Sequence, residues 1–321
     1  MNPDVVAAVA RLTTDQILSA EQATFFDRVA RRQLVSVWLE IRILLYVGVL
    51  LLTSGVGLVV AEFHREIGPW TIAFALGAAA AACLIWVARK SPPFSWGEVR
   101  SPSIAFDYVL LLGLLLLASD WAYIEANFTL LGPRWAHHLL VVGLVYVVAA
   151  YRWDSRTILG LALSTLAAWR GVSISLGSLW RGQAAELRIN AILLGALYVV
   201  AAWHSVRWQK KAHFEEVFAN AGLLLLLGGL VSGVLGRGSA WSMWLPVLLG
   251  VAGIVMWISF RLGRSLYFAQ AVAAAYIGLL RLLFAPFHRP SSIPLLLAAL
   301  LGAGALALIF AAHRRMHEHE T

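Results

Sequence analysis

The chain has 321 residues, of which 60% are hydrophobic and only 13% charged. Its 25 arginines and lysines outnumber 17 aspartates and glutamates, for a formal charge of +8. A soluble domain needs roughly 25% charged residues, so this composition excludes a water-exposed globular surface. It also argues against a nucleic-acid role, because the positive charge is not gathered into a basic face but divided among the ends of apolar stretches.

Residues 1–40 form the one sizeable segment outside those stretches. Asp4, Asp15, Glu21 and Asp27 interrupt it, so it lacks the layout of a cleavable signal peptide, and the first apolar stretch is expected to serve as an uncleaved anchor. Ser19-Ala20-Glu21-Gln22 has the form of a helix capping box. Phe25, Phe26, Val29, Leu34, Val37 and Trp38 then alternate with Asp27, Arg28, Arg31 and Arg32. That pattern predicts an amphipathic helix at the inner leaflet or beneath the bundle; the plainer alternative is a lead-in helix with no activity of its own.

Ten apolar stretches follow, at about 41–61, 70–88, 104–124, 135–151, 156–176, 188–206, 216–235, 240–260, 265–284 and 293–312. A helix needs about 20 apolar residues to cross a ~30 Å hydrocarbon core, because lipid offers its backbone N–H and C=O groups no partners. The fifth stretch is the weakest, since Trp169-Arg170 falls inside it. Every second stretch runs into a basic residue, as in Trp86-Val-Ala-Arg89-Lys90, Tyr146-Val-Val-Ala-Ala-Tyr151-Arg152 and Trp257-Ile-Ser-Phe260-Arg261. The expected fold is therefore all-α: a polytopic integral membrane bundle of about ten transmembrane helices arranged as repeated helical hairpins. It spans residues 41–312, after the 1–40 segment and before a 313–321 tail.

With the N-terminus placed in the cytoplasm, 17 of the 25 basic residues lie inside, including all three lysines, Lys90, Lys210 and Lys211. The positive-inside bias thus puts both termini in the cytoplasm of a cell whose inner membrane holds the chain. Leu140 to Tyr151 resembles Ile192 to Trp203, with Tyr146 matching Tyr198 at an offset of 52 residues. Repeated use of one two-helix unit would generate this pattern, and biased composition alone supplies part of it. Small residues such as Gly48, Gly77, Gly222, Gly228, Gly229 and Gly304 mark expected helix contacts. The 14 tryptophans fall mostly near stretch ends, as an interfacial belt.

Polar groups in apolar stretches are costly, so each is a candidate site. Asp107, Glu215 and Glu216 open stretches at the inner side, where a carboxylate suits a helix N-terminus. At the outer ends lie Glu62, Asp120, Glu125, Arg170 and Arg281, with His137 and His138 nearby. Converging helices would join these carboxylates and guanidiniums in one outward-facing ligand pocket; otherwise they snorkel to the headgroups or pair at the interface. Cys83 is the single cysteine and has no partner for a disulfide or a cysteine-based metal site. His137-His138 is too lean for a metal, and His313, His317 and His319 sit in a tail. No metal, cofactor or catalytic residue is expected. Neither His-Glu-x-x-His, a phosphate-binding Gly-x-x-x-x-Gly-Lys-Ser/Thr nor Gly-x-Ser-x-Gly occurs, and an enzyme is the least supported class.

Leu18-Ser19-Ala20-Glu21-Gln22-Ala23, followed by the glycine-rich Gly48 to Gly57, resembles the start of the DUF2157 family of bacterial membrane proteins. The resemblance covers about the first 70 residues. Members usually carry an Asn-Trp pair after that helix, where this chain has Glu62-Phe63. It implies a multi-span bundle and no defined biochemistry. Two functions remain open: a transporter or permease of a small or lipid-like solute, and a non-catalytic accessory, assembly or sensor protein. The expected partners are the lipid bilayer and either another membrane protein or a second copy of the chain.

Overall fold

In the computed structural model the chain divides into two compact units, Met1–Gly68 and Pro69–Thr321. The structure describes 12, 13, 19, 22, 43–45, 47–55, 58, 62 and 68 of the first unit. Of the second it describes 69–129, 137–171, 185–236, 241–285 and 292–318, without the side chains of 104, 185, 186, 292, 293 and 316–318. All regular structure among the described residues is helical.

In the first unit the capping box forms as its sequence requires. The Ser19 N–H donates to Gln22 Oε1 at 3.0 Å, and the Gln22 N–H donates to Ser19 Oγ at 3.3 Å. An apolar helical run occupies Ile43–Gly55. The amphipathic segment 25–38 lies outside the described residues.

The second unit holds nine α-helices among its described residues. They are α1 (Pro69–Lys90), α2 (Ile104–Phe128), α3 (His137–Trp153), α4 (Arg156–Trp169), α5 (Ala185–Arg207), α6 (Glu215–Leu235), α7 (Trp241–Arg261), α8 (Ser265–Phe284) and α9 (Ser292–Glu318). A single 3-10 turn, Ala212–Phe214, leads into α6. Each helix overlays one of the apolar stretches. Seven of them are long and apolar enough to cross a membrane. α3 and α4 are shorter, with 17 and 14 residues. At 1.5 Å per residue their described residues reach about 26 Å and about 21 Å, less than a full hydrocarbon core. Nine of the ten expected spans fall in this unit, as seven long helices and two short ones; the tenth, 41–61, corresponds to the apolar run Ile43–Gly55 of the first unit. In the fifth stretch the helix stops at Trp169, and Arg170 caps it.

α6 is the hub: it packs against α4, α5, α7 and α8. Beyond it, α1 packs on α2, α3 on α4, α7 on α8, and α8 on α9. The α5–α6 contact depends on glycine. A Cβ at Gly195 would lie 2.5 Å from Leu226 N and 2.7 Å from Gly222 O, and one at Gly222 would lie 2.8 Å from Val199 N. Backbone therefore touches backbone, which is how helices associate where water supplies no drive. Leu227, Leu230 and Val234 of α6 close a core with Leu245, Leu248, Ala252, Ala271 and Ala274. The opposite faces stay apolar and exposed, as at Leu193, Leu197 and Val200 of α5, which suits hydrocarbon contact.

The repeat between α3 and α5 has a structural counterpart. Tyr146 donates its hydroxyl to the Leu114 carbonyl of α2 at 3.0 Å, and Tyr198 donates to the Leu163 carbonyl of α4 at 2.9 Å. Each tyrosine ties its helix to the one before it in sequence.

Candidate functional site

The C-terminal ends of α1, α3, α5 and α7 all carry basic residues: Arg89 and Lys90, Arg152, Arg207, and Arg261. The connections that follow, 91–103, 154–155, 208–214 and 262–264, meet at one end of the bundle. Hydrogen bonds and ion pairs fasten them into a collar.

Its centre is Asp154. α3 ends in a Schellman turn, in which the Ser155 N–H donates to the Ala150 carbonyl at 3.1 Å. Asp154 takes the left-handed position of that turn, with φ 57°. The α7–α8 connection makes the same turn: Arg264 N–H reaches Ser259 O at 3.0 Å, and the left-handed position is Gly263, φ 68°. Glycine is the ordinary occupant, because it alone avoids a Cβ clash of roughly 1 kcal/mol. Asp154 accepts that strain, and its side chain explains why. Ser155 then caps α4 by accepting from the Ile158 N–H at 3.3 Å.

The Asp154 carboxylate is 2% exposed. Oδ2 accepts from the Val99 N–H and from Lys211 Nζ, the latter at 3.1 Å. Oδ1 faces His213 Nε2 at 2.5 Å. A carboxylate is only an acceptor when ionised, so this geometry places the proton on Nε2 of the imidazole. One side chain thus joins three connections: α1–α2 through Val99, α3–α4 through itself, and α5–α6 through Lys211 and His213.

Lys211 is as deeply set, with a side chain 1% exposed. Its Nζ also donates to the Gly97 carbonyl at 3.2 Å and stands 5.5 Å from the Phe94 ring centroid. The Lys211 N–H donates to Trp96 O at 2.8 Å, and its carbonyl accepts from Ser205 Oγ at 2.8 Å. Lys211 too is left-handed, φ 51°. A buried charge is tolerated when it is paired and hydrogen-bonded; both Asp154 oxygens are engaged, and Lys211 Nζ uses two of its three N–H groups on Asp154 and Gly97.

Outer contacts extend the collar. Arg156 pairs with Glu98 at 3.1 Å and approaches Glu216 at 3.9 Å. Arg152 donates to the Pro92 carbonyl and to Ser91 Oγ, each at 3.3 Å. Glu215 accepts from Arg264 at 3.2 Å and from the Tyr267 hydroxyl at 3.1 Å. Glu215 and Glu216 therefore serve as ion-pair partners as well as occupying the first turn of α6.

No family model, curated protein or solved structure matches this chain. The resemblance at its N-terminus rests on the quoted residues alone, and the chemistry has to be read from the site.

The residues singled out at the outer stretch ends are distributed as follows. Glu62 is exposed and helical in the first unit. Asp120 is half-buried on α2; its Oδ1 has no hydrogen-bond partner, and its Oδ2 lies 3.1 Å from where a Cβ on Gly77 of α1 would stand. Glu125 is buried one turn further along, and its carbonyl accepts the Thr129 N–H that closes the helix. Arg170 donates to Asn190 Oδ1 of α5 at 2.8 Å. Arg281 of α8 stands over the Trp241 ring of α7 at 5.4 Å. Among the described residues neither guanidinium is ion-paired to Asp120 or Glu125. No group of three or more potential metal ligands occurs among the described residues.

Of the collar residues, the sequence points to Glu215 and Glu216 but not to the central three. Asp154, Lys211 and His213 read there as ordinary charged punctuation between apolar stretches. The one available signal was the comparison of Arg152-Trp-Asp154-Ser155 with Arg261-Leu-Gly263-Arg264, where aspartate replaces the expected turn glycine.

Proposed function

We propose that this chain is a multi-pass inner-membrane protein with its basic end in the cytoplasm, and that it acts as a non-catalytic membrane component whose collar engages another membrane constituent. The observation that carries the reading is the use of Asp154, Lys211 and His213. The Asp154 and Lys211 side chains, 2% and 1% exposed, are spent with His213 on fixing three connections against one another, which builds a rigid platform. The orientation follows from the bias of arginine and lysine toward that end. Native mass spectrometry of the protein released gently from its own membranes tests the reading. Stoichiometric recovery with a different membrane protein supports it. Recovery only as a monomer carrying a solute-sized molecule overturns it.

Transport of a lipid-like solute is the second reading. It is favoured by an apolar groove of about 940 Å³, including its opening, bounded by Met256 of α7, Val272 and Tyr276 of α8, and Leu297, Leu301 and Gly304 of α9. Reconstituted vesicles that move no fluorescent lipid between leaflets would remove that reading.

A further inference from the structure

We propose that the crevice between the 91–103 connection and the end of α3 binds the phosphate oxyanion of an anionic phospholipid headgroup. The crevice measures about 240 Å³ including its open mouth, and Pro92, Arg100, Ser101, Arg152, Trp153 and Asp154 are among its lining residues. Most of that space is open mouth; the enclosed part is only about 10 Å³, room for a single oxygen of a phosphate whose remaining atoms stay at the mouth.

The lining offers donors. Trp153 Nε1 is buried and has no hydrogen-bond partner, and an indole N–H can only donate. An orphaned buried donor costs about 1–3 kcal/mol unless an acceptor arrives. Arg152 spends one hydrogen on each of Pro92 O and Ser91 Oγ and meets no carboxylate among the described residues. Arg100 is exposed and makes no ion pair among the described residues. The Asp154 carboxylate also lines the crevice, but its charge is already met by Lys211, and both its oxygens are engaged.

Location selects the source of the phosphate. α3 stops at Trp153 and α2 starts at Ile104, so the crevice opens where the apolar helices end, at headgroup depth. On the same collar, Lys210 lies 4.9 Å from the Trp96 ring centroid and 5.9 Å from that of Trp208. Trp96 and Trp208 are 49% and 59% exposed, as interfacial tryptophans are. The inference stands whichever reading of the protein's function holds.

The test titrates the full-length protein in mild detergent with phosphatidylglycerol or phosphatidylcholine and counts bound lipid by native mass spectrometry. Phosphatidylglycerol should bind about ten-fold more tightly, the scale of one charge-assisted hydrogen-bonded contact. Arg100→Gln should remove most of that preference, and Trp153→Phe should weaken it about three-fold, with melting temperatures unchanged. Arg315→Gln, which removes an exposed charge on α9, should leave it intact. Equal binding of the two lipids, or an Arg100→Gln effect no larger than that of Arg315→Gln, overturns the proposal. Binding of inorganic phosphate that depends on Arg100, without preference for phosphatidylglycerol, replaces the lipid with free phosphate and overturns the assignment of source.

Discussion

Asp154 and Lys211 stand 3.1 Å apart with both side chains almost wholly buried, and both hold left-handed backbone. Two strained turns are thus locked by one ion pair. Strain of this kind persists only where the surroundings over-determine it.

Breaking the pair from one side should be costly. Asp154→Asn keeps a residue that tolerates the left-handed turn but strands the Lys211 ammonium. Loss of one partner from a buried pair costs about 3–5 kcal/mol. Asp154→Asn with Lys211→Met should recover much of that, because no unpaired charge remains. Denaturant unfolding of the purified variants measures both; a single variant as stable as wild type would show that the pair contributes nothing.

Gly263 provides the matched control. A Cβ there meets nothing within 4 Å, but φ is 68°. Gly263→Ala should therefore cost about 1 kcal/mol through backbone conformation alone, visible as a small drop in melting temperature. An unchanged melting temperature would mean that this turn relaxes freely.

The α5–α6 contact should tolerate no side chain. Gly195→Ala forces a Cβ to 2.5 Å from Leu226 N, and backbone cannot move aside as a flexible side chain can. Overpacking of this kind costs about 1–3 kcal/mol. Gly228→Ala, which meets nothing within 4 Å, should cost nothing and stabilise by up to about 1 kcal/mol through helix propensity. Equal stability of the two variants would refute the close approach.

Tyr146→Phe and Tyr198→Phe should each cost about 0.5–1.5 kcal/mol, the net value of one hydrogen bond. The hydroxyls serve different helix pairs, α2–α3 and α4–α5, so the two losses should add. Strong non-additivity in a double-mutant cycle would indicate that the two joints are coupled.

Orientation is testable with Gln209, which is exposed in the collar connection. In a Cys83→Ser background, Gln209→Cys should react with a membrane-impermeant maleimide in inverted vesicles and stay unlabelled in intact cells. The reverse pattern would place the basic end outside.

Much of the bundle could be read from the chain because lipid imposes simple demands: an apolar run, then a polar break. The stretch expected at 265–284 is the helix Ser265–Phe284, and that at 216–235 differs from Glu215–Leu235 by one residue. Length was harder. Trp169-Arg170 ends α4 early because Arg170 finds Asn190 on α5, a contact that hydropathy does not encode. The collar was hidden for a related reason. Asp154, Lys211 and His213 carry the types and positions of solvated helix-end residues; only the fold brings together groups more than 50 positions apart. The same limit applies to Arg281, whose neighbour is the Trp241 ring.

The spacing of Asp154 and its partners also bears on biogenesis. Val99 precedes it by 55 residues and His213 follows it by 59. A ribosome that has just delivered α3 and α4 has supplied the carboxylate and its first N–H donor, while the ammonium and imidazole await synthesis of α5. Until then the carboxylate has only water and one amide to hold it. The collar consequently closes late: the turns that follow α1 and α3 gain their contacts with Lys211 and His213 only once the chain before α6 has been made.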